Sequence, residues 1–401
     1  MTRVLLAYSD TGGGHRAAAS AIRDALTAIS RSVQATMVDP YAMSDRWPFD
    51  RLAAAYPRVV DNASWLWRSG FRLTNTTQCT ATLQAIAWPA LRPTFRAIKR
   101  AESPDVIVCT HSLLTTPLRH VFPGTPLVVV VTDLVSGHKS WYNHRADLLV
   151  APTAAARASA VACGVDDARI EVLGLPVAPG FARTPHDAAL QVTLGWSGHQ
   201  PTVLMVGGGD GVGPLEVNAL AIDASDLPCD LAIVCGRNAA LAARLRARSW
   251  RRTVHVYDFV ANLDAMMRAA TVLVTKAGPG TICEAFAAGC PIVLTSAIPG
   301  QETGNVRLVC AGGAGMWAPS AERVCRALAA WLDGVAAADA RTRAAEAALR
   351  MARPTAAKDI ALRVLQMAWQ PRPRHGSPNI VARPSRRGRL QAALRPLGEL
   401  G

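Results

Sequence analysis

One stretch concentrates the residues able to do chemistry: Thr275 to Asn305, TKAGPGTICEAFAAGCPIVLTSAIPGQETGN. An apolar run over residues 271–275 predicts a buried strand, and 277–280 predict a tight turn. A helix follows. Pro279 suits its first turn, where a missing N–H costs nothing, and Gly289 suits its end. Residues 291–295 predict the next strand. Such a unit aims free backbone N–H groups and about half a unit of positive charge at the open end of a sheet, a place for a phosphate. Glu284 falls one turn into the helix, where a carboxylate can accept from paired sugar hydroxyls. Gln301 and Glu302 add an amide and a carboxylate beyond the next strand. The glycines alone fit any βαβ unit. The glycines, Glu284 and the Gln–Glu pair together fit a sugar–phosphate ligand.

A second set stands at the start of the chain. A strand over 4–8 runs into Ser9-Asp10-Thr11-Gly12-Gly13-Gly14-His15 and then into an Ala-rich helix over 17–29. Strand, glycine loop and helix open an α/β sheet with its crevice at the strand's carboxyl end. His15 at the helix start has its protonated form disfavoured, so it suits a neutral imidazole that takes a proton; holding the loop is the alternative role. Polar residues end two further strands: His111 after 105–110 and Asp133 after 127–131. Asp133 reads as a second candidate base or as a turn cap.

The elements that must position these groups fall into two series. Residues 4–173 alternate strand and helix, a Pro/Gly-rich linker spans 176–201, and the pattern restarts with a strand at 202–206 and a second glycine loop, Gly207 to Gly213. The fold class is α/β, with a division into residues 1–178, residues 179–368 and a basic tail over 369–401. Between strands, residues 47–88 interleave Trp47, Phe49, Tyr56, Trp65, Trp67, Phe71 and Trp88 with arginines, with helices expected over 50–60 and 63–73. Aromatic rings beside guanidiniums suit a membrane interface, single-stranded nucleic acid, or the core of a helical hairpin.

The 401 residues carry a net charge of +14, nearly all from Arg, which suits an anionic partner. A GC-rich genome, which favours Arg and Ala codons, is the alternative reading. The nine cysteines form no CxxC pair and are expected to be reduced thiols. No signal peptide and no membrane span is expected, which places the protein in the cytoplasm, peripheral on the inner face of the cell membrane. No Asp-x-Asp, GxxxxGK[ST] or GxSxG occurs, so no catalytic metal or other bound cofactor is expected.

Taken together, SDTGGGHRAAASAI, WPFDRLAAAYPRVV with SWLWRSGF, THSL, VVTDLVSGHKSW, GLPVAPGF, GGGDGVGP, YDFVANLDAMM and KAGPGTICEAFAAGCPIVLTSAIPGQETGNV resemble the monogalactosyldiacylglycerol synthase and processive diacylglycerol glucosyltransferase family, over about residues 4–367. The resemblance implies a GT-B fold, two Rossmann-like domains facing a central cleft. It implies inverting transfer of galactose or glucose from a UDP-sugar to diacylglycerol at an anionic membrane surface, with no nucleic-acid partner. By that resemblance Gly208, Gly209, Gly278, Gly280 and Thr281 would hold the diphosphate, and Phe259 and Val260 would border the uracil. Glu284 would bind the ribose, and Gln301 and Glu302 the transferred sugar. His15 would lie at the reaction centre with Asp133 near it. Gly13, Gly14, Pro48 and Trp141 would meet the acceptor or lipid. Asp210 stands where the family usually has Glu. Transfer to another hydrophobic acceptor, a non-catalytic anion binder and an epimerase on the same fold are the competing functions.

Overall fold

The computed structural model describes residues 1–10, 13–51, 70–142, 145–183 and 188–369. Most of the helices expected over 50–60 and 63–73, and the basic tail from Pro371, lie outside these residues. Among the described residues twelve strands form two parallel six-stranded sheets. The first contains β1 (Thr2–Ala7), β2 (Val33–Val38), β3 (Val106–Cys109), β4 (Leu127–Val130), β5 (Leu148–Ala151) and β6 (Ile170–Val172), in the order β2-β1-β3-β4-β5-β6. The second contains β7 (Thr202–Val206), β8 (Asp230–Val234), β9 (Val254–Tyr257), β10 (Val272–Lys276), β11 (Ile292–Ser296) and β12 (Gly315–Trp317), in the order β12-β11-β10-β7-β8-β9.

The strands are apolar throughout because both faces of each sheet are covered, as a parallel sheet requires. Alternate residues go to opposite layers. Leu5, Ile107 and Val129 pack on one side of the first sheet, and Val4, Leu6, Val108 and Val128 on the other. The second sheet divides in the same way, with Leu204, Val206 and Leu273 on one side and Val203, Met205 and Val272 on the other.

Strand order explains where a ligand can sit. Consecutive strands leave β1 in opposite directions, and so do those that leave β7. A crevice therefore opens at the carboxyl end of each of these strands, where the order reverses. The glycine loop before His15 follows β1, and the Gly207–Gly213 loop follows β7. The turn at 277–280 follows β10, the neighbour of β7.

Two local results depart from the sequence expectation. A single helix, Thr77–Ala101, runs through Pro89 and Pro93, where the sequence led to a helix over 91–101 only. An internal proline costs about 3 kcal/mol. Against that, Leu91, Phe95 and Ile98 recur at helical spacing and are buried in the core of the first sheet. The last helix, Ala356–Trp369, follows the second sheet in sequence but packs on the first: Ile360, Ala361, Val364 and Leu365 share a core layer with Val4, Leu6 and Ile22. By packing, this helix belongs with the first sheet.

Candidate active site

His15 is the second residue of the helix Gly14–Ile29, and two strand ends hold it in place. Its Nδ1 lies 2.7 Å from the Thr110 carbonyl after β3 and 3.1 Å from Thr132 Oγ1 after β4. A carbonyl only accepts, so Nδ1 carries the proton and Nε2 keeps its lone pair. Nε2 makes no hydrogen bond among the described residues. The ring packs edge-on to His111 at 4.7 Å and against Trp141 at 5.9 Å. Burial lowers the pKa of His15 to about 4, so the imidazole is neutral at physiological pH.

Asp133 is 5 % exposed. Its Oδ2 accepts from Trp141 Nε1 at 2.7 Å, and its Oδ1 from Gln301 Nε2 at 3.1 Å. The second bond joins residues 168 apart in sequence and ties the loop after β11 to the loop after β4. Desolvation raises the carboxyl to about 6, against the pull of the Gln301 and Trp141 donors.

Glu302 is buried with both oxygens occupied. Oε1 accepts from Lys276 Nζ at 2.6 Å, and Oε2 from the Ile298 N–H at 2.9 Å. The helix Pro279–Ala288 starts with Pro279 in its first turn and stops at Gly289, whose φ of 63° is the left-handed conformation that glycine adopts freely. Glu284 lies on this helix, half-buried and without a hydrogen-bond partner among the described residues. Burial pushes its carboxyl up to about 7. In the loop after β8, Gly236 has a φ of 58°, and a Cβ there would fall 2.5 Å from the Gly209 carbonyl oxygen. This close approach locks the Gly207–Gly213 loop against Arg237, whose guanidinium reaches Asp210 at 3.0 Å and Asp10 at 3.8 Å.

Two cavities adjoin at these groups. A narrow cleft of about 80 Å³ is lined by Gly14, His15 and Asp133 from the first half, and by Gly208, Gly209, Gly280, Gln301 and Glu302 from the second. A larger cavity of about 780 Å³ is lined mainly by apolar residues, including Tyr41, Phe49, Phe71, Ile86 and Trp88, with Pro48 and Trp141 among them. His15, Asp133 and Gln301 line both.

Other expected site residues stand off this junction. Gly278 caps the helix start, facing Lys276, while Thr281 and Glu284 lie farther along the same helix. Gly13 faces Arg237 across the two glycine loops. Phe259 is 62 % exposed beside the Arg237 guanidinium, with Val260 next to it. The sequence reading passed over Lys276, Arg237, Thr110 and Thr132 as site residues. Lys276 carried the one available signal, as one of only four lysines and the residue that enters the glycine turn.

Paired Rossmann-like units with glycine loops at both switch points, facing across a cleft, define the GT-B fold. A family model for monogalactosyldiacylglycerol synthase matches residues 15–177, and one for the glycosyltransferase family 28 C-terminal domain matches 202–360. The chain is 32 % identical to monogalactosyldiacylglycerol synthase 3, chloroplastic, of Arabidopsis thaliana, over 92 % of this chain and 82 % of that one. It is 35 % identical to the chloroplastic monogalactosyldiacylglycerol synthase of Spinacia oleracea, over 82 % of this chain and 66 % of that one. The chain belongs to the monogalactosyldiacylglycerol synthase family.

Solved structures agree on the fold. MurG of Acinetobacter baumannii aligns with a TM-score of 0.59 at 15 % identity, covering 91 % of this chain and all of that one. The UDP-GlcNAc 2-epimerase of Neisseria meningitidis bound to UDP-GlcNAc aligns at 0.56 and 11 %, with the same coverage.

The relatives correct one expectation. Both are chloroplastic by name, so the placement in the cytoplasm on the inner face of the cell membrane does not stand. It rested on the absence of apolar runs, which speaks to membrane crossing and not to compartment. Among the described residues no helix is long and apolar enough to cross a membrane.

Proposed function

We propose that this enzyme moves galactose from UDP-galactose to the free hydroxyl of diacylglycerol and inverts the anomeric carbon to give a β-galactoside. The observation that carries the reading is the junction: a polar cleft with phosphate-binding loops and an apolar cavity meet at His15, Asp133 and Gln301. A reaction between a nucleotide-sugar and a lipid needs that arrangement.

In this reading the acyl chains occupy the apolar cavity and leave through its rim. Trp47 and Ile86 are 77 % and 71 % exposed there, and a lipid surface would cover them. Exposed Arg46 and Arg72 stand beside that rim in sequence and suit an anionic surface. The diphosphate sits on the backbone N–H groups of Gly208, Gly209, Gly280 and Thr281, with the dipole of the helix Pro279–Ala288 behind it; Gly278 shapes that turn, its own N–H bonded to the Lys276 carbonyl at 2.8 Å. Phe259 and Val260 border the uracil, Glu284 takes the ribose hydroxyls, and Gln301 and Glu302 face the hexose. The chain itself then supplies the positive charge around the diphosphate. Gly13 and Gly14 keep the floor of the site low enough for the acceptor.

The acceptor oxygen attacks the anomeric carbon from the side opposite UDP. A new C–O bond forms as the old one breaks, and the bonding pair leaves on the diphosphate. The hydroxyl proton passes to Nε2 of His15, the ring nitrogen left without a partner. Asp133 has both oxygens engaged, so it orients Trp141 and Gln301 around that proton transfer. The division of labour puts the acceptor on residues 1–178, with the helix Ala356–Trp369 packed against them, and the donor on residues 179–355.

The test is turnover of UDP-galactose and UDP-glucose, separately, with diacylglycerol in anionic vesicles, reading both UDP and glycolipid. The expected result is a β-galactolipid with stoichiometric UDP. Glucolipid alone would reassign the sugar. UDP released only with another hydrophobic acceptor would reassign the acceptor.

A further inference from the structure

We infer that Lys276 is a catalytic residue of this site: its ammonium binds the departing diphosphate while holding Glu302, and so links the leaving group to the sugar. The inference rests on the donor placement proposed above.

Lys276 is the last residue of β10, and its side chain turns back between the two loops that offer backbone N–H groups. A Cβ built on Gly278 would lie 3.0 Å from Nζ, and one built on Gly208 would lie 3.7 Å from Cε. The ammonium therefore stands between the helix-starting turn and the glycine loop. It spends one of its three N–H donors on Glu302, at 2.6 Å. The other two have no partner among the described residues, in a side chain that is 21 % exposed.

The charge balance of the cleft makes this cation decisive. Among the described residues that line it, Asp133, Asp210 and Glu302 are carboxylates and Lys276 is the only lysine or arginine. Lys276 is thus the one cationic side chain of that lining able to face a diphosphate among these carboxylates. Arg237 is near but less available, because its guanidinium already lies 3.0 Å from Asp210 and 3.8 Å from Asp10. Gly278 fits the same picture: its missing side chain leaves room for the ammonium and for Glu302 Oε1, which a Cβ would approach to 3.9 Å.

When the anomeric C–O bond breaks, negative charge grows on the diphosphate oxygen, and a cation in place before the step stabilises that charge without rearranging. Because the same ammonium holds Glu302, a sugar seated on Glu302 has its leaving oxygen beside Nζ.

Calorimetric titration of the full-length protein with UDP and with uridine tests this, for wild type, Lys276→Met and Lys276→Arg. Uridine lacks the diphosphate. Lys276→Met is expected to weaken UDP binding by about 10- to 100-fold, the range of one charge-assisted hydrogen bond, and to leave uridine binding unchanged. Lys276→Arg should keep most of the UDP affinity. Equal loss for UDP and uridine would make Lys276 a structural residue and overturn the inference. Undiminished UDP binding by Lys276→Met would overturn it too, with the donor site standing. No UDP binding by wild type would instead remove the donor placement itself.

Discussion

Replacing Glu284 with Gln should make the free protein more stable and the donor complex weaker. Glu284 carries a carboxyl raised from 4.5 to about 7 by burial, with no hydrogen-bond partner among the described residues. Between those two pH values the native state binds more protons than the unfolded chain, so stability falls as pH rises through the window and levels off above it. The ionised carboxylate thus costs the free fold about 3 kcal/mol at pH 8, and almost nothing below pH 4.5. Glutamine keeps the shape without the charge. The denaturation midpoint of Glu284→Gln should exceed that of wild type at pH 8, and the difference should close as the pH approaches 4.5. Ribose hydroxyls would supply the missing donors, so UDP binding should draw the carboxyl down again and release about half a proton at pH 7. Calorimetry in buffers of differing ionisation enthalpy counts that proton. The Gln variant should bind UDP at least about tenfold more weakly and release none. Identical pH dependence of stability in the two proteins, together with equal UDP affinity, would refute the reasoning.

Three further outcomes follow from the same geometry. His15→Ala should lower kcat by about 10²- to 10⁴-fold and leave UDP affinity intact, as titration would show; unchanged turnover would move the base elsewhere. Trp141→Phe removes the N–H that stabilises ionised Asp133, so the carboxyl should rise from about 6. If Asp133 must be charged to hold Gln301, the acidic limb of kcat/KM should move to higher pH by about one unit, and an unmoved limb would separate Asp133 from turnover. Replacing exposed Trp47 and Ile86 together with Ser should weaken binding to diacylglycerol vesicles by at least about tenfold while UDP binding holds, read by co-sedimentation.

Most of the scaffold was legible because parallel strands are buried on both faces and read as short apolar runs. Residues 33–38, 148–151, 202–206 and 254–257 form strands where expected. β12 was missed: Gly-Met-Trp is too short to show a pattern and pairs only at the sheet edge. The helix Thr77–Ala101 was expected only from 91, because local propensity, with Pro89 in the run, says nothing of the core that Leu91 and Phe95 fill. At the site, glycine turns and strand-end polar residues pointed to one crevice because chain direction places every strand's carboxyl end there. The bond from Gln301 to Asp133 and the pinning of His15 by Thr110 and Thr132 had no such signal. They join residues far apart in sequence, and only the folded geometry brings them within reach. Lys276 was passed over for a related reason: at the end of a strand it reads as the start of a turn, and its partner Glu302 lies on another loop.

The account turns on the acceptor hydroxyl and the donor sugar meeting at His15. A crystal structure with UDP and a short-chain diacylglycerol would measure this directly. The account predicts the free hydroxyl within hydrogen-bond reach of His15 Nε2, the acyl chains in the cavity beside Phe71 and Trp88, and the diphosphate on the turn before the helix Pro279–Ala288. A hydroxyl bound on the carboxylate of Asp133 with His15 turned away, or a lipid seated outside that cavity, would contradict it.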